Sequence, residues 1–300
     1  MRGGMTERAV LLGQRKSLVG VVAQPTTLRS ADAPAIVIFN TGIIHRVGHN
    51  RMYVTMSRAL ATAGFTVLRF DFSGIGDSEP RRDGLSPFEA CLADIREALD
   101  WVEASCQAPR FILIGMCSGA DHAILYGPSD PRVAALVLID PSIPPTARYY
   151  LGYVGQRLVR LRSWINVAMG RSRIVRLWAA RLLRFASRPQ MPGDFGLENL
   201  ERAYRNSVDR GVSMLAVFTG DSTRQTYRDQ MIDAFPNVPF GEQLQLKFFP
   251  ESDHTFTSSD SRSKLIGTVV GWIQTAAPRM RPAHFGPGAR FTSGDLTRER

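Results

Sequence analysis

Eight short runs of apolar, largely β-branched residues recur along the chain: Ala9–Leu12, Leu18–Ala23, Ala35–Phe39, Phe65–Phe70, Phe111–Ile114, Ala134–Ile139, Leu215–Phe218 and Leu244–Phe249. Most of the later runs are continuously hydrophobic, as strands buried on both faces of a parallel sheet are. The last one alternates (Leu244-Gln-Leu246-Lys-Phe248), which predicts a strand nearer the edge. Between the runs lie segments of helical period: Met52–Ala63, Pro87–Ala104, Ser118–Tyr126, Thr223–Ala234 and Ser261–Thr275. Strand and helix in alternation predict an α/β fold, a doubly wound sheet of eight mostly parallel strands. The rhythm breaks between about Pro141 and Arg210, a long helical, Arg-rich stretch that reads as a cap inserted after the sixth strand. The expected organisation is a core of 1–140 and 211–277, a helical cap of 141–210, and a tail of 278–300 rich in Pro, Gly and charge.

One junction carries a chemical signal. In Phe111-Ile-Leu-Ile-Gly115-Met-Cys117-Ser-Gly119-Ala-Asp-His, a buried strand runs through Gly-x-Cys-x-Gly directly into a helical pattern. A nucleophile held on a sharp strand-to-helix turn needs this arrangement: the central residue takes a strained backbone, and glycines two positions before and after let the chain pass close to itself. Cys117 holds the central place. Ser118 falls one position off centre, where the chain offers a backbone N–H to an oxyanion.

A thiol nucleophile needs a base and the base an orienting acid, and both come from distant parts of the sequence. Of five histidines, His254 stands in a short polar loop, Phe249-Pro-Glu-Ser-Asp-His254-Thr-Phe, between the last strand and the final helix. His122 follows the elbow on its helix and reads as a packing residue, and His284 lies in the tail. His45 and His49 are four apart, but no neighbouring Asp, Glu or Cys completes a ligand set, so no metal is expected. For the acid, Asp221 just beyond the seventh strand is favoured, with Asp140 at the end of the sixth as its rival; Asp253, next to the histidine, should point away.

These residues resemble the α/β-hydrolase superfamily over roughly positions 9 to 277. Asp71-Phe-Ser-Gly74-Ile-Gly76-Asp-Ser78 is similar to the superfamily's recurrent Asp-x-x-Gly-x-Gly-x-Ser turn, and it lacks the third glycine of a dinucleotide loop. Asn40-Thr-Gly42-Ile43 falls where that superfamily has His-Gly followed by an oxyanion-hole residue, with Asn40 departing from the His. The resemblance therefore implies Ile43 and Ser118 as backbone N–H donors to the oxyanion. Asn-Thr-Gly, Gly-Met-Cys-Ser-Gly and Phe-Phe-Pro-x-x-Asp-His-Thr-Phe together resemble the bacterial cysteine-type hydrolases found near exosortase and exopolysaccharide systems.

A Cys in the nucleophile's place changes the energetics more than the geometry. A neighbouring His raises the thiolate fraction, and the resulting thioester acyl-enzyme forms from a thioester donor almost isoenergetically and reacts with amines as well as water. The expectation is thus a thioesterase or acyltransferase with a Cys117–His254–Asp221 triad and no cofactor. A carboxylester or lactone hydrolase is the alternative reading, and a catalytically silent binding protein of the same fold the second alternative.

Charge refines this picture. The net charge is +10, and the segment Pro141–Arg210 alone holds thirteen Arg against four acidic residues. Only Lys16, Lys247 and Lys264 are lysines, a skew that resembles genomic base composition. Arg alternates with Leu, Val, Ile and Trp at helical spacing through the cap, which suits an apolar face over an acyl pocket and a positive face toward an acidic acyl-carrier protein or coenzyme A phosphates. An anionic lipid surface would also suit it. Nucleic acid is not expected, since no stacking-aromatic or helix-turn-helix pattern accompanies the charge. Three cysteines without a Cys-x-x-Cys pair, together with an amino terminus lacking a signal-peptide run, lead to the expectation of a reduced, cytoplasmic setting.

Overall fold

The computed structural model describes residues 4–30, 32–146, 148–149, 196–220 and 227–279. Eight strands form one sheet: β1 (Met5–Leu12), β2 (Leu18–Pro25), β3 (Ala35–Phe39), β4 (Val67–Phe70), β5 (Phe111–Met116), β6 (Val133–Ile139), β7 (Ser213–Thr219) and β8 (Leu244–Phe249). Their spatial order is β1-β2-β4-β3-β5-β6-β7-β8. β1 and β2 are antiparallel to their neighbours, and every pair from β4 through β8 is parallel. The sheet is therefore mostly parallel, and the alternating β8 is an edge strand, as its pattern predicts.

Six helices are described: α1 (Met52–Thr62), α2 (Pro87–Cys106), α3 (Ser118–Tyr126), α4 (Leu197–Asp209), α5 (Gln230–Ala234) and α6 (Ser259–Ala276). Alternate strand residues face opposite layers. Val37, Phe39 and Leu113 join Ile95 and Leu99 of α2, Ala123 of α3 and Tyr204 of α4 on one side. Ile36, Ile38, Ile112 and Ile114 join Met56 and Leu60 of α1 and Val269 and Ile273 of α6 on the other. This two-sided burial is why β3, β5 and β6 read as unbroken apolar runs. The start of α2 is equally local in origin: Ser86 accepts from the Glu89 N–H, Glu89 accepts from the Ser86 N–H at 2.9 Å, and Pro87 takes the first helical position.

α4 falls inside the stretch expected to be cap, yet it belongs to the core. Leu200, Ala203 and Tyr204 are buried, the helix packs against α3, and the Tyr204 ring meets Phe235 and Phe240. The rest of that stretch lies almost wholly outside the described residues, as does the tail from residue 280. Among the described residues no helix is long and apolar enough to cross a membrane.

Candidate active site

The turn from β5 into α3 has the geometry that its glycines imply. Cys117 sits at φ 54°, ψ −124°, a conformation that costs a non-glycine residue on the order of 1–3 kcal/mol. The close passages that hold it there require both glycines. A Cβ at Gly115 would lie 2.2 Å from the backbone of Gly119, and one at Gly119 would lie 2.5 Å from the Asn40 carbonyl oxygen. Gly115→Ala is therefore expected to destabilise the fold by about 3 kcal/mol, because backbone cannot yield as a side chain does. A lowered midpoint in urea unfolding checks it, and an unchanged midpoint would refute the packing argument.

His254 reaches the elbow from the loop after β8, with its side chain half exposed. Its Nδ1 is 2.8 Å from Oδ2 of Asp140, and its ring is within hydrogen-bonding reach of the Cys117 thiol. These two contacts, Asp140 foremost, push the imidazole up to about 10 against the opposing effect of burial. The acid beside the imidazole is thus Asp140, where sequence reasoning favours Asp221. Asp221 itself lies outside the described residues.

The reason is the path of the chain. Asp140 ends β6 at φ 46° and is anchored on the end of β7, accepting from the Thr219 N–H at 2.8 Å and from its hydroxyl at 2.6 Å. The loop after β8 then crosses the end of β7 so closely that a Cβ at Gly220 would stand 2.0 Å from the Pro250 carbonyl oxygen. That crossing carries His254 back over β7 to β6. Thr219-Gly220 is the only sequence signal of it, a hydroxyl to hold the acid followed by a residue without a side chain.

The rest of the loop is fixed by short-range bonds. Asp253 points away from the imidazole, as expected, and accepts from Thr255 and Thr257, which holds its carboxyl down at about 2. Phe256, fully buried at φ 50°, packs edge-on against Phe249. His49, in the short 3-10 turn before α1, is close enough to His254 and Asp253 to feel both; burial and the His254 charge push it down.

The segment after β3 is also tied to the elbow on two sides. The buried Tyr53 hydroxyl lies 2.8 Å from the Thr41 hydroxyl and is also reached by the Met116 backbone, and the Gly42 N–H donates to the Ser118 hydroxyl at 2.8 Å. Ile43 is at the exposed crown of the turn, 87% accessible, and Ser118 opens α3, where a helix leaves its first N–H groups without helical acceptors. Ser118 follows Cys117 in the chain, and Ile43 follows Gly42 on the segment that the Gly42–Ser118 bond ties to the elbow.

Other candidates are accounted for by packing. His122 stacks on Phe88 and meets Phe72 tilted. Burial pushes the Cys91 thiol up to about 12 and raises Cys106, so both are poor thiolates. His45 has acids that its local sequence lacks, 3.4 Å from Asp71 and 3.3 Å from Asp77, although His49 is not among them. The Arg46 guanidinium already pairs with both carboxylates, reaching Asp77 at 2.7 Å, so the cation in this cluster is the protein's own. Asp71 is the hub of its turn: it also accepts from Asn40 at 2.8 Å, and Gly76 passes where a Cβ would strike its carboxylate. That role explains the Asp-x-x-Gly-x-Gly pattern without any ligand.

Esterases and hydrolase homologues are among the solved structures similar to this chain. An esterase domain of a Rhodothermus marinus protein is 19% identical at a TM-score of 0.53, over 91% of this chain and 99% of its own. A Pyrococcus furiosus esterase is 13% identical with a TM-score of 0.57, over 90% and 91%. A Coxiella burnetii α/β serine hydrolase homologue is 16% identical with a TM-score of 0.54, over 89% and 96%. No curated protein matches the chain. The profile of the serine aminopeptidase S33 hydrolases matches residues 31–194, a span that runs from the segment before β3 through the elbow and beyond β6. With that match over more than half its length, on this sheet, the chain belongs to the serine aminopeptidase S33 family of α/β hydrolases.

Proposed function

We propose that the chain is a cysteine-dependent acyl hydrolase or acyltransferase, with Cys117 as nucleophile, His254 as acid and base, and Asp140 holding the imidazole. The observation that carries this reading is the relay itself: Cys117 on a strained elbow, in hydrogen-bonding reach of His254, whose Nδ1 is 2.8 Å from Asp140. The reactive form of a Cys–His pair is a sulfur nucleophile beside an imidazolium, and with the imidazole pushed up to about 10 the His254 side chain is a cation at neutral pH.

The Cys117 sulfur attacks the substrate carbonyl carbon, forming the C–S bond, while the carbonyl oxygen takes up the negative charge and is met by the N–H groups of Ile43 and Ser118. As the intermediate collapses, the bond to the leaving alcohol or thiol breaks and the His254 imidazolium gives it a proton. The now neutral imidazole then takes a proton from water, or from an acceptor amine or alcohol, as that group attacks the thioester. The thiolate departs and the imidazolium is restored.

Thiolate chemistry favours thioester substrates, since donor and acyl-enzyme are then of similar energy. The motifs resembling exosortase-associated cysteine hydrolases fit the same reading, and an acidic carrier protein or coenzyme A would suit the Arg-rich segment of 141–210. Carboxylester hydrolysis is the second reading, favoured by the likeness to the Rhodothermus esterase domain and the Pyrococcus esterase.

Mass spectrometry tests the shared core of these readings. Iodoacetamide at neutral pH should label Cys117 ahead of Cys91 and Cys106, whose thiols are pushed up by desolvation, and a panel of acyl thioesters and p-nitrophenyl esters should leave a transient acyl mass on the same residue. A wild-type protein that takes up neither would be a binding protein that keeps the fold, and the proposal would fall.

A further inference from the structure

We propose that the Ser118 side chain, and not only its backbone, acts in catalysis: its hydroxyl is a third donor to the oxyanion, aimed by the Gly42 N–H. This rests on the reading of Cys117 as nucleophile and adds a residue to it. A serine hydroxyl has one proton to give and two lone pairs. In the structure the Gly42 N–H, 2.8 Å away, occupies one lone pair of Ser118 Oγ, which turns the hydroxyl proton away from Gly42. Ser118 directly follows the nucleophile on the first turn of α3, and Gly42 belongs to the segment assigned to the opposite wall of the oxyanion site. The hydroxyl therefore bridges the two walls that the developing charge must sit between.

Several features keep it there. Gly42 has φ +53°, a left-handed conformation that turns its N–H toward the elbow, and a Cβ at Gly42 would still be 3.9 Å from Ser118 Oγ. The Thr41–Tyr53 bond fixes the same segment from behind. A chain of donors, Gly42 N–H to Ser118 O–H to oxyanion, is polarised along its length, so the outer proton is a stronger donor than an isolated hydroxyl. No bond to Ser118 is made or broken in the reaction; its proton stays on oxygen and is shared with the negative oxygen only while that charge exists.

Ser118→Ala and Ser118→Thr, compared with the wild type, test this in two reactions of the same thiol. Acylation by p-nitrophenyl acetate or acetyl-coenzyme A passes through an oxyanion; alkylation by iodoacetamide displaces iodide and does not. Ser118→Ala is expected to slow acylation about a hundredfold through kcat with KM little changed, to leave the alkylation rate of Cys117 within about twofold, and to regain most of the loss in Ser118→Thr. Wild-type acylation in Ser118→Ala would overturn the inference. So would equal losses in both reactions, which would mean that the hydroxyl only shapes the elbow, or a faster Ser118→Ala enzyme, which would mean that the hydroxyl obstructs the site. Failure of the underlying reading looks different: there the wild-type Cys117 would take up no acyl group at all.

Discussion

Asp140→Asn is expected to lower kcat/KM by roughly a thousandfold to ten-thousandfold, while Asp221→Asn leaves it near the wild-type value. An asparagine preserves the shape of the side chain and can still accept from the Thr219 N–H, so the fold should persist. What it removes is the charge beside Nδ1 that stabilises the imidazolium and fixes its tautomer. The pH profile should change with it. Because the folded imidazole is held at about 10, above its ordinary 6.5, the imidazolium needed to protonate the leaving group persists through neutral pH and is lost only as the pH approaches 10. In Asp140→Asn that alkaline limb should move down toward the ordinary value. Stability follows the same sign: the contribution of the His254–Asp140 pair is complete below pH 6.5 and is lost as the pH climbs through about 10. Full turnover in Asp140→Asn with loss in Asp221→Asn would return the orienting role to Asp221.

At the nucleophile, Cys117→Ala should reduce kcat by on the order of a millionfold, with only binding and oxyanion stabilisation left to act. Cys117→Ser is the more instructive variant, because the family's name specifies serine. A serine hydroxyl needs a neutral imidazole to take its proton, but in this site the imidazole is held as a cation partly by the thiol itself. The serine enzyme should therefore lose at least about a hundredfold at neutral pH and recover part of it in alkali. A Cys117→Ser enzyme as fast as the wild type would show that the pocket is a serine-hydrolase site to which sulfur contributes nothing.

The sequence makes the elbow legible because every constraint on it is local: a buried strand, two glycines and a helix within a dozen residues. Sheet strands are legible for a similar reason, since β3, β5 and β6 meet helices on both faces. β1 is longer than its apolar run suggests because Met5 to Arg8 alternate between half-buried and exposed at the sheet edge. The orienting acid is not legible in this way. Asp140 and Asp221 each follow an apolar strand, and what separates them is where a loop from elsewhere crosses the sheet, which leaves only the spare Thr219-Gly220 as a trace. α4 is hidden by its place in the chain: it directly follows the Arg-rich segment, and the face that joins it to the core is carried by only Leu200, Ala203, Tyr204 and Ser207. The acids around His45 lie 26 and 32 positions further along the chain, so only the folded turn brings them together.

The close crossing of the chain at Pro250 past Gly220 bears on how such a site can be inherited or transplanted. His254 does not belong to its loop alone: its position is a property of two strand ends side by side, joined by the Gly220 N–H to the Phe249 carbonyl at 3.0 Å, with Thr219 clamping the acid on one of them. A graft that copied the three reacting side chains onto another sheet, but put a side chain at the position of Gly220, would lift the histidine away from its acid. The unit that evolution or a designer must move intact is therefore the crossing, and the catalytic residues travel with it.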